Sequence, residues 1–307
     1  MEINAVFEGG GVKGIALAGA VAELERRCIA VRRVAGTSSG AIIAALLAAG
    51  FTAAEIEGMI KHTPFRSFLK RGRAFGIPPF GPVSRLLWKK GLYSGEALEE
   101  WIRAALLRRG IRYFGDLPAG KLTVIASDIT NGKLLALPGD IGSYGIDPMR
   151  LEVARAVRMS TSIPYFFDPV MLRQSISDRR GPAANKYAYI VDGALLSNLP
   201  LWLFDGPVGT ADRIPTIGFQ LVGKNDNEPR KIRGPLSMLQ AIFETMMQAH
   251  DERYIEKHNR MRTVKIPTLG VRNTQFNLSE EWSDKLFRSG RERTADFFEQ
   301  YIHRIGD

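Results

Sequence analysis

The sequence predicts an α/β fold: three layers, helix, sheet and helix, around a mainly parallel central sheet. Three observations carry that prediction. Ile3 to Phe7 is a β-rich run that passes through Glu8-Gly9-Gly10-Gly11-Val12-Lys13-Gly14 into a helix over Ile15 to Arg27, with Leu17, Ala20, Val21 and Leu24 on one face. A second unit repeats the order, with Arg33 to Ala35 leading through Gly36-Thr37-Ser38-Ser39-Gly40 into the apolar run Ala41 to Ala49, which Gly50 stops. Further on, Tyr187 to Val191 reads as a strand that delivers Asp192-Gly193-Ala194 at its end. Alternation of strand, turn and helix with polar residues at strand ends is the pattern of a sheet that carries its site on one rim.

Composition narrows the setting. The 307 residues are 45% hydrophobic, enough for one large core, and no repeat or low-complexity linker divides them, so residues 1–307 are expected to form a single domain. Cys28 is the sole cysteine, which excludes an internal disulfide and a cysteine-based metal site and suits a reducing compartment; it is expected in the core. The N-terminus lacks the basic-then-apolar order of a secretory leader, and the longest apolar run, Ala41 to Phe51, is too short to cross a bilayer. A cytoplasmic protein is expected, with only peripheral contact with membranes. Lys and Arg number 42 against 32 Asp and Glu, a net charge of +10, so a polyanionic partner is favoured: nucleic acid or an anionic membrane. No zinc-finger spacing, RNP-like aromatic box or heptad-linked basic region is present, and nucleic acid is therefore not expected.

Gly9, Gly11 and Gly14 fit the dinucleotide fingerprint G-x-G-x-x-G, yet the place where such a site needs an acidic residue holds Arg32 and Arg33 and then the serine turn. Such a loop has another use. The bare N–H groups of Gly10, Gly11 and Val12 can converge on an oxygen that becomes negative when an ester carbonyl is attacked. Adjacent parallel strands would bring this loop and the serine turn to one rim. On a sharp strand-to-helix turn Ser38 is lifted out as a nucleophile, and Gly36 and Gly40 flank it where side chains would collide with backbone. Lys13 offers a positive field for a phosphate, although a lysine near a helix start is more often merely solvated.

Residues 61–93 form a basic, apolar insertion of cap-like character. Lys61, Arg66, Lys70, Arg71, Arg73, Arg85, Lys89 and Lys90 alternate with Phe65, Phe68, Phe75, Phe80 and Trp88, with no acidic residue between Lys61 and Lys90. Basic heads beside aromatic wedges suit an anionic bilayer surface; a solvated basic surface is the plainer alternative. Ser94 is expected to cap an amphipathic helix with Leu98, Trp101, Ile102, Ala105 and Leu106 on one stripe, ended by Gly110. Leu122 to Ala126 and Leu134 to Leu137 read as strands, and Asp128 after the first competes for an acid–base role but is better suited to forming the turn. Leu151 to Met159 reads as a helix, Thr216 to Val222 as a strand, and residues 223–307 as a helical C-terminal part, with one helix face over Leu236 to Met247 and a last helix from Trp282 to Ile302.

A serine nucleophile needs a base. The four histidines, His62, His250, His258 and His303, all lie away from strand-end loops. Asp192, on a strand end beside glycine, fits better as a direct partner of Ser38, given a dry pocket that raises its basicity. The three motifs in this order, Gly9 to Gly14, Gly36 to Gly40 and Asp192 to Ala194, resemble those of the patatin-like phospholipases. Further matches are Gly91 to Gly95, Asp128 to Lys133, Ser160 to Pro164 and Asn198-Leu199-Pro200, together covering residues 3 to 222. The resemblance implies a patatin-like fold with Ser38 as nucleophile, Asp192 as its dyad partner and Gly10, Gly11 and Val12 as the oxyanion hole. It further implies hydrolysis of fatty acyl esters of phospholipids through an acyl-enzyme, with no metal or cofactor. A lipid-binding protein with little turnover and an acyltransferase on the same fold are the alternatives. Two departures, Met159-Ser160-Thr161-Ser162-Ile163-Pro164 where the family usually has Ala-Ser-x-Ala-x-Pro and Asp192-Gly193-Ala194 where it commonly has Asp-Gly-Gly, bear on substrate fit.

Overall fold

In the computed structural model the description covers residues 1–62, 88–174, 186–205, 214–223, 261–271 and 278–306, with isolated positions between them: Phe68, Ile232, Gly234, Ser237, Met238, Ala241, Ile242, Thr245 and Gln275. Ten strands appear among them: β1 (Glu2–Phe7), β2 (Ala30–Thr37), β3 (Gly91–Tyr93), β4 (Leu122–Asp128), β5 (Lys133–Leu137), β6 (Tyr165–Phe167), β7 (Val170–Arg173), β8 (Tyr187–Asp192), β9 (Thr216–Val222) and β10 (Thr263–Pro267). The continuous α-helices among the described residues are α1 (Ile15–Arg26), α2 (Ser39–Ala48), α3 (Ala53–His62), α4 (Glu96–Leu107), α5 (Val153–Ser160) and α6 (Glu280–Gly306). The main sheet runs β10-β9-β1-β2-β4-β8-β7, with β5 also paired to β4, while β3 and β6 form a separate pair. Strands β10, β9, β1, β2 and β4 are mutually parallel, and β8 runs antiparallel to β4. This is the α/β fold with a mainly parallel central sheet that the sequence predicts.

Alternation along the strands sorts the two faces. Ile3, Ala5 and Phe7 of β1, Val34 of β2, Leu122, Val124 and Ala126 of β4 and Ala188 and Ile190 of β8 are buried in one continuous core that also takes in residues from all six helices, from Ile15 to Phe298. On the opposite face Val6 and Ala35 pack under Leu201 and Phe204 of a short 3-10 turn.

The C-terminal helix is tied to the first one through glycine. A Cβ on Gly19 of α1 would lie 1.9 Å from the Phe287 carbonyl oxygen, and one on Gly290 of α6 would lie 1.8 Å from that of Ala16. Backbone meets backbone at this crossing, so Gly19→Ala is expected to cost about 1–3 kcal/mol by overpacking and to lower the thermal midpoint by several degrees. Gly58→Ala on α3 is the control, because nothing lies within 4 Å of its added methyl; it should leave stability unchanged or slightly raised by helix propensity.

Several expectations are corrected. Cys28 is exposed rather than in the core, because it adopts φ 53° in the turn that reverses the chain from α1 into β2, where its N–H donates to Glu25 O (2.9 Å). Gly95, at φ 65°, rather than Ser94 precedes the first turn of α4; Ser94 Oγ accepts only a long bond from the Glu96 N–H (3.4 Å). Phe68 is buried with its ring 5.8 Å from that of Trp101, which removes it as a membrane wedge. Lys61 is spent on ion pairs to Glu57 (2.6 Å) and Asp284. Residues 223–307 contribute β10 to the sheet as well as helix, its short Thr-Val-Lys-Ile-Pro run being too brief to stand out. The remaining basic residues from Arg66 to Arg85 and the helix face expected over Leu236 to Met247 lie largely outside the described residues.

Candidate active site

Ser38 follows the last residue of β2 and precedes α2 at φ 53°, ψ −122°, a backbone conformation that a non-glycine residue enters at a cost of roughly 1–3 kcal/mol. Its neighbours explain how the turn closes. A Cβ on Gly36 would lie 2.3 Å from Gly40 O, and one on Gly40 would lie 2.3 Å from Phe7 O, so both positions require glycine for close backbone approach. The Ser38 N–H donates to Ser160 Oγ (2.9 Å), at the end of α5, and the Ser38 carbonyl accepts from the Ala41 N–H (2.9 Å).

The Ser38 hydroxyl donates to Asp192 Oδ2 at 2.7 Å. Asp192 stands at the end of β8, where it is 1% exposed; its other oxygen accepts from the Ala194 N–H (2.9 Å), and its own N–H donates to Ser162 O (2.9 Å). Burial pushes the carboxyl pKa up to about 7, against the opposing pull of the two hydrogen bonds from Ala194 and Ser38. A carboxylate with that proton affinity, in contact with a hydroxyl, can take its proton near neutral pH.

The glycine loop runs along the same rim, since β1 pairs with β2 in parallel register, Phe7 opposite Gly36. The Gly9 N–H donates to Asn198 Oδ1 (3.2 Å), and a Cβ on Gly9 would lie 2.6 Å from that oxygen and 3.0 Å from Ser38 Cβ, so the loop is fitted to the serine turn. Gly10, expected as an oxyanion donor, gives its N–H to Ser39 Oγ (2.9 Å) in this state. Gly11, at φ 57°, opens a 3-10 turn over Gly11–Gly14, and the N–H groups of Gly11 and Val12 have no protein acceptor among the described residues. Lys13 is buried rather than solvated, its Cε 3.5 Å from where a Cβ on Gly10 would stand.

Asp128 serves the turn. Its carboxylate accepts from the N–H groups of Thr130 (2.9 Å) and Asn131 (3.0 Å), the Asn131 side chain and the Tyr144 hydroxyl (both 2.6 Å). His62 is exposed at the end of α3; His250 and His258 and the side chain of His303 lie outside the described residues.

The bracing of the site by Ser160, Ser162 and Arg158 is not legible in the sequence. Ser160 holds the backbone of Ser38, and Ser162 holds that of Asp192, so one short stretch at the end of α5 braces both. Arg158, 4% exposed, braces that stretch in turn by donating to Ser162 Oγ and to the carbonyls of Ser94 (2.5 Å) and Asp168 (2.7 Å). Burial pulls its pKa down, opposed by Glu99, Asp168 and Glu96. Ser160→Ala would leave the buried Ser38 N–H without its acceptor, at about 1–3 kcal/mol. The thermal midpoint should therefore fall by several degrees, with Ser160→Thr recovering part of it.

A serine on a strained strand-to-helix turn, bonded to a buried aspartate and flanked by a glycine loop at the carboxyl rim of a mostly parallel sheet, defines a recognisable class of site. The patatin-like phospholipase family model matches residues 5–205, and the chain belongs to that family. It is 41% identical over 304 residues to the uncharacterized protein YqhO of Bacillus subtilis, covering 99% of this chain and 100% of that one. It is 29% identical to an uncharacterized NTE family protein of Mycobacterium bovis, over 81% of this chain and 38% of the relative's length. VipD from Legionella pneumophila shares the fold at TM-score 0.56 and 17% identity, covering 97% of this chain and 67% of that one. ExoU of Pseudomonas aeruginosa, solved with SpcU, does so at 0.53 and 19%, covering 97% and 51%.

Proposed function

We propose that the protein is a serine lipid acyl hydrolase that cleaves fatty acyl esters of phospholipids through a Ser38–Asp192 dyad. The observation that carries this reading is the 2.7 Å bond from the Ser38 hydroxyl to a buried carboxylate whose pKa is pushed up to about 7. Family membership supports the substrate class, as does a 28% identical relative described as a probable lipid hydrolase of an invertebrate iridescent virus, matched over 64% of this chain.

Asp192 takes the Ser38 proton as Oγ attacks the ester carbonyl, and the resulting oxyanion is met by the N–H groups of Gly11 and Val12. Gly10 keeps its bond to Ser39 Oγ and so holds the loop in register with the nucleophile. Asp192 then gives its proton to the departing alcohol oxygen, leaving Ser38 acylated. A water entering the vacated position loses a proton to Asp192 and attacks the acyl carbonyl, and the proton returns to Ser38 as the fatty acid leaves. Incubation of the protein with a phospholipid panel, followed by mass spectrometry of the products, tests the whole reading. Free fatty acid and lysolipid in equal amounts are expected. Acyl groups recovered on an added alcohol with no free acid would make the protein an acyltransferase, and no acyl release from any lipid would leave a lipid-binding protein.

A further inference from the structure

We propose that the outward face of the β7–β8 hairpin, together with the neighbouring segment at Trp88 to Lys90, is the surface that seats the protein on an anionic phospholipid bilayer; this rests on the lipid hydrolase reading and gives it a place of contact. Among the described strands β7 is the edge of the main sheet, and its pairing sets Met171 opposite Tyr189 and Arg173 opposite Tyr187. Leu172, Ala188 and Ile190 turn into the core, so the alternate positions look outward, and Met171 and Tyr187 are 51% and 40% exposed. No described helix covers them. Lys90 reaches this face with Nζ 4.8 Å from the Tyr189 ring centre, and Lys186 lies over Tyr187 at 5.6 Å. Trp88, two residues before Lys90, is 79% exposed.

Position and charge identify the occupant. β8 is antiparallel to β4 with Ile190 opposite Asp128, so Tyr187 stands three residues, roughly 10 Å, past the end of β4. That is the rim on which Ser38 and the glycine loop lie, so a bilayer meeting the hairpin would face the dyad's side of the sheet. The Ile129 turn at the end of β4 joins the same surface, its N–H donating to Tyr189 O (3.1 Å), with Ile129 half exposed. Residues 88–91, 129–134, 170–174 and 186–191 carry five Lys or Arg and no Asp or Glu. Exposed aromatic and aliphatic side chains beside cations, with no carboxylate in these described segments, suit an anionic lipid surface: the cations meet headgroups while Trp88, Tyr187 and Met171 enter the interface.

The test uses the full chain with Ser38→Ala, so that vesicles stay intact, and phosphatidylcholine vesicles with and without phosphatidylserine. Adding Arg173→Glu and Lys186→Glu should weaken sedimentation with the phosphatidylserine vesicles about tenfold or more. Arg150→Glu with Arg155→Glu, an equal change in net charge on exposed residues near the start of α5, should weaken it far less. Tyr187→Ser with Met171→Ser should reduce the binding that survives 0.5 M salt, where charge is screened. With Ser38 restored, the hairpin charge variants should turn over a soluble short-chain ester at the parental rate. Equal losses in the hairpin and control pairs, or no vesicle binding by the parent, would overturn the docking face. If the parent still releases fatty acid from detergent-dispersed phospholipid, the hydrolase reading survives that failure. A dimeric parent made monomeric by the hairpin substitutions would assign the face to a second copy of the chain and likewise overturn it.

Discussion

Ser38→Ala is expected to reduce phospholipid and ester hydrolysis by on the order of 10⁴-fold or more and to abolish labelling by a fluorophosphonate probe. The size of the effect follows from the proposed route: without Oγ no acyl-enzyme can form on Ser38, and Asp192 alone would have to activate water. Ser38→Gly should be equally inactive yet more stable than Ser38→Ala, because φ 53° is strained for alanine and free for glycine. Comparing the two thermal midpoints separates the strain of the turn from its chemistry. Persistent labelling of both variants would move the nucleophile elsewhere. Ser39 would be the first residue to examine, although its Oγ is engaged with the Gly10 N–H and its position opens α2.

The parts of the fold legible in the sequence are those whose cause is local. Glycines 36 and 40 announce a turn in which backbone approaches backbone, and the contacts each added methyl would make bear out that reason. β1, β2, β8 and β9 were readable because their apolar runs are bounded by glycine or polar residues. What escaped is long-range. Ser160 lies 122 residues from Ser38 and Asn198 lies 189 from Gly9, so nothing in the chain near either residue signals the bond it makes. Arg158 lies in the helix read over Leu151 to Met159, where nothing local marks it as buried; three acceptors from separate segments converge on it. Gly10 shows the complementary case, since a loop can be recognised from its glycines while the particular N–H that stays open depends on Ser39. β3, β6 and β7, of three or four residues each, are too short for period-two alternation to distinguish them from loop.

Asp192→Asn should be nearly as inactive as Ser38→Ala, since an amide keeps the shape and the bond to the Ala194 N–H but cannot accept the serine proton. His62→Ala, by contrast, should retain most turnover. For the parent, kcat/KM should rise with pH along a single ionisation with a midpoint at about 7, the carboxylate form being the active one. Stability should move the other way. The folded pKa lies above the unfolded value, so the proton is bound more tightly in the folded protein; the cost of burying Asp192 is absent below about pH 4, grows between there and about 7, and is fully present above. Asp192→Asn removes that ionisation. Its unfolding free energy relative to the parent should therefore climb across the same window, by on the order of a few kcal/mol at alkaline pH. Urea unfolding of both proteins at pH 4, 6 and 8 checks the trend, and kinetics over the same range check the rate. A parental kcat/KM midpoint near 4, with a flat stability difference, would mean that water reaches the carboxylate. Loss of activity in a folded His62→Ala variant would require a triad in place of the dyad.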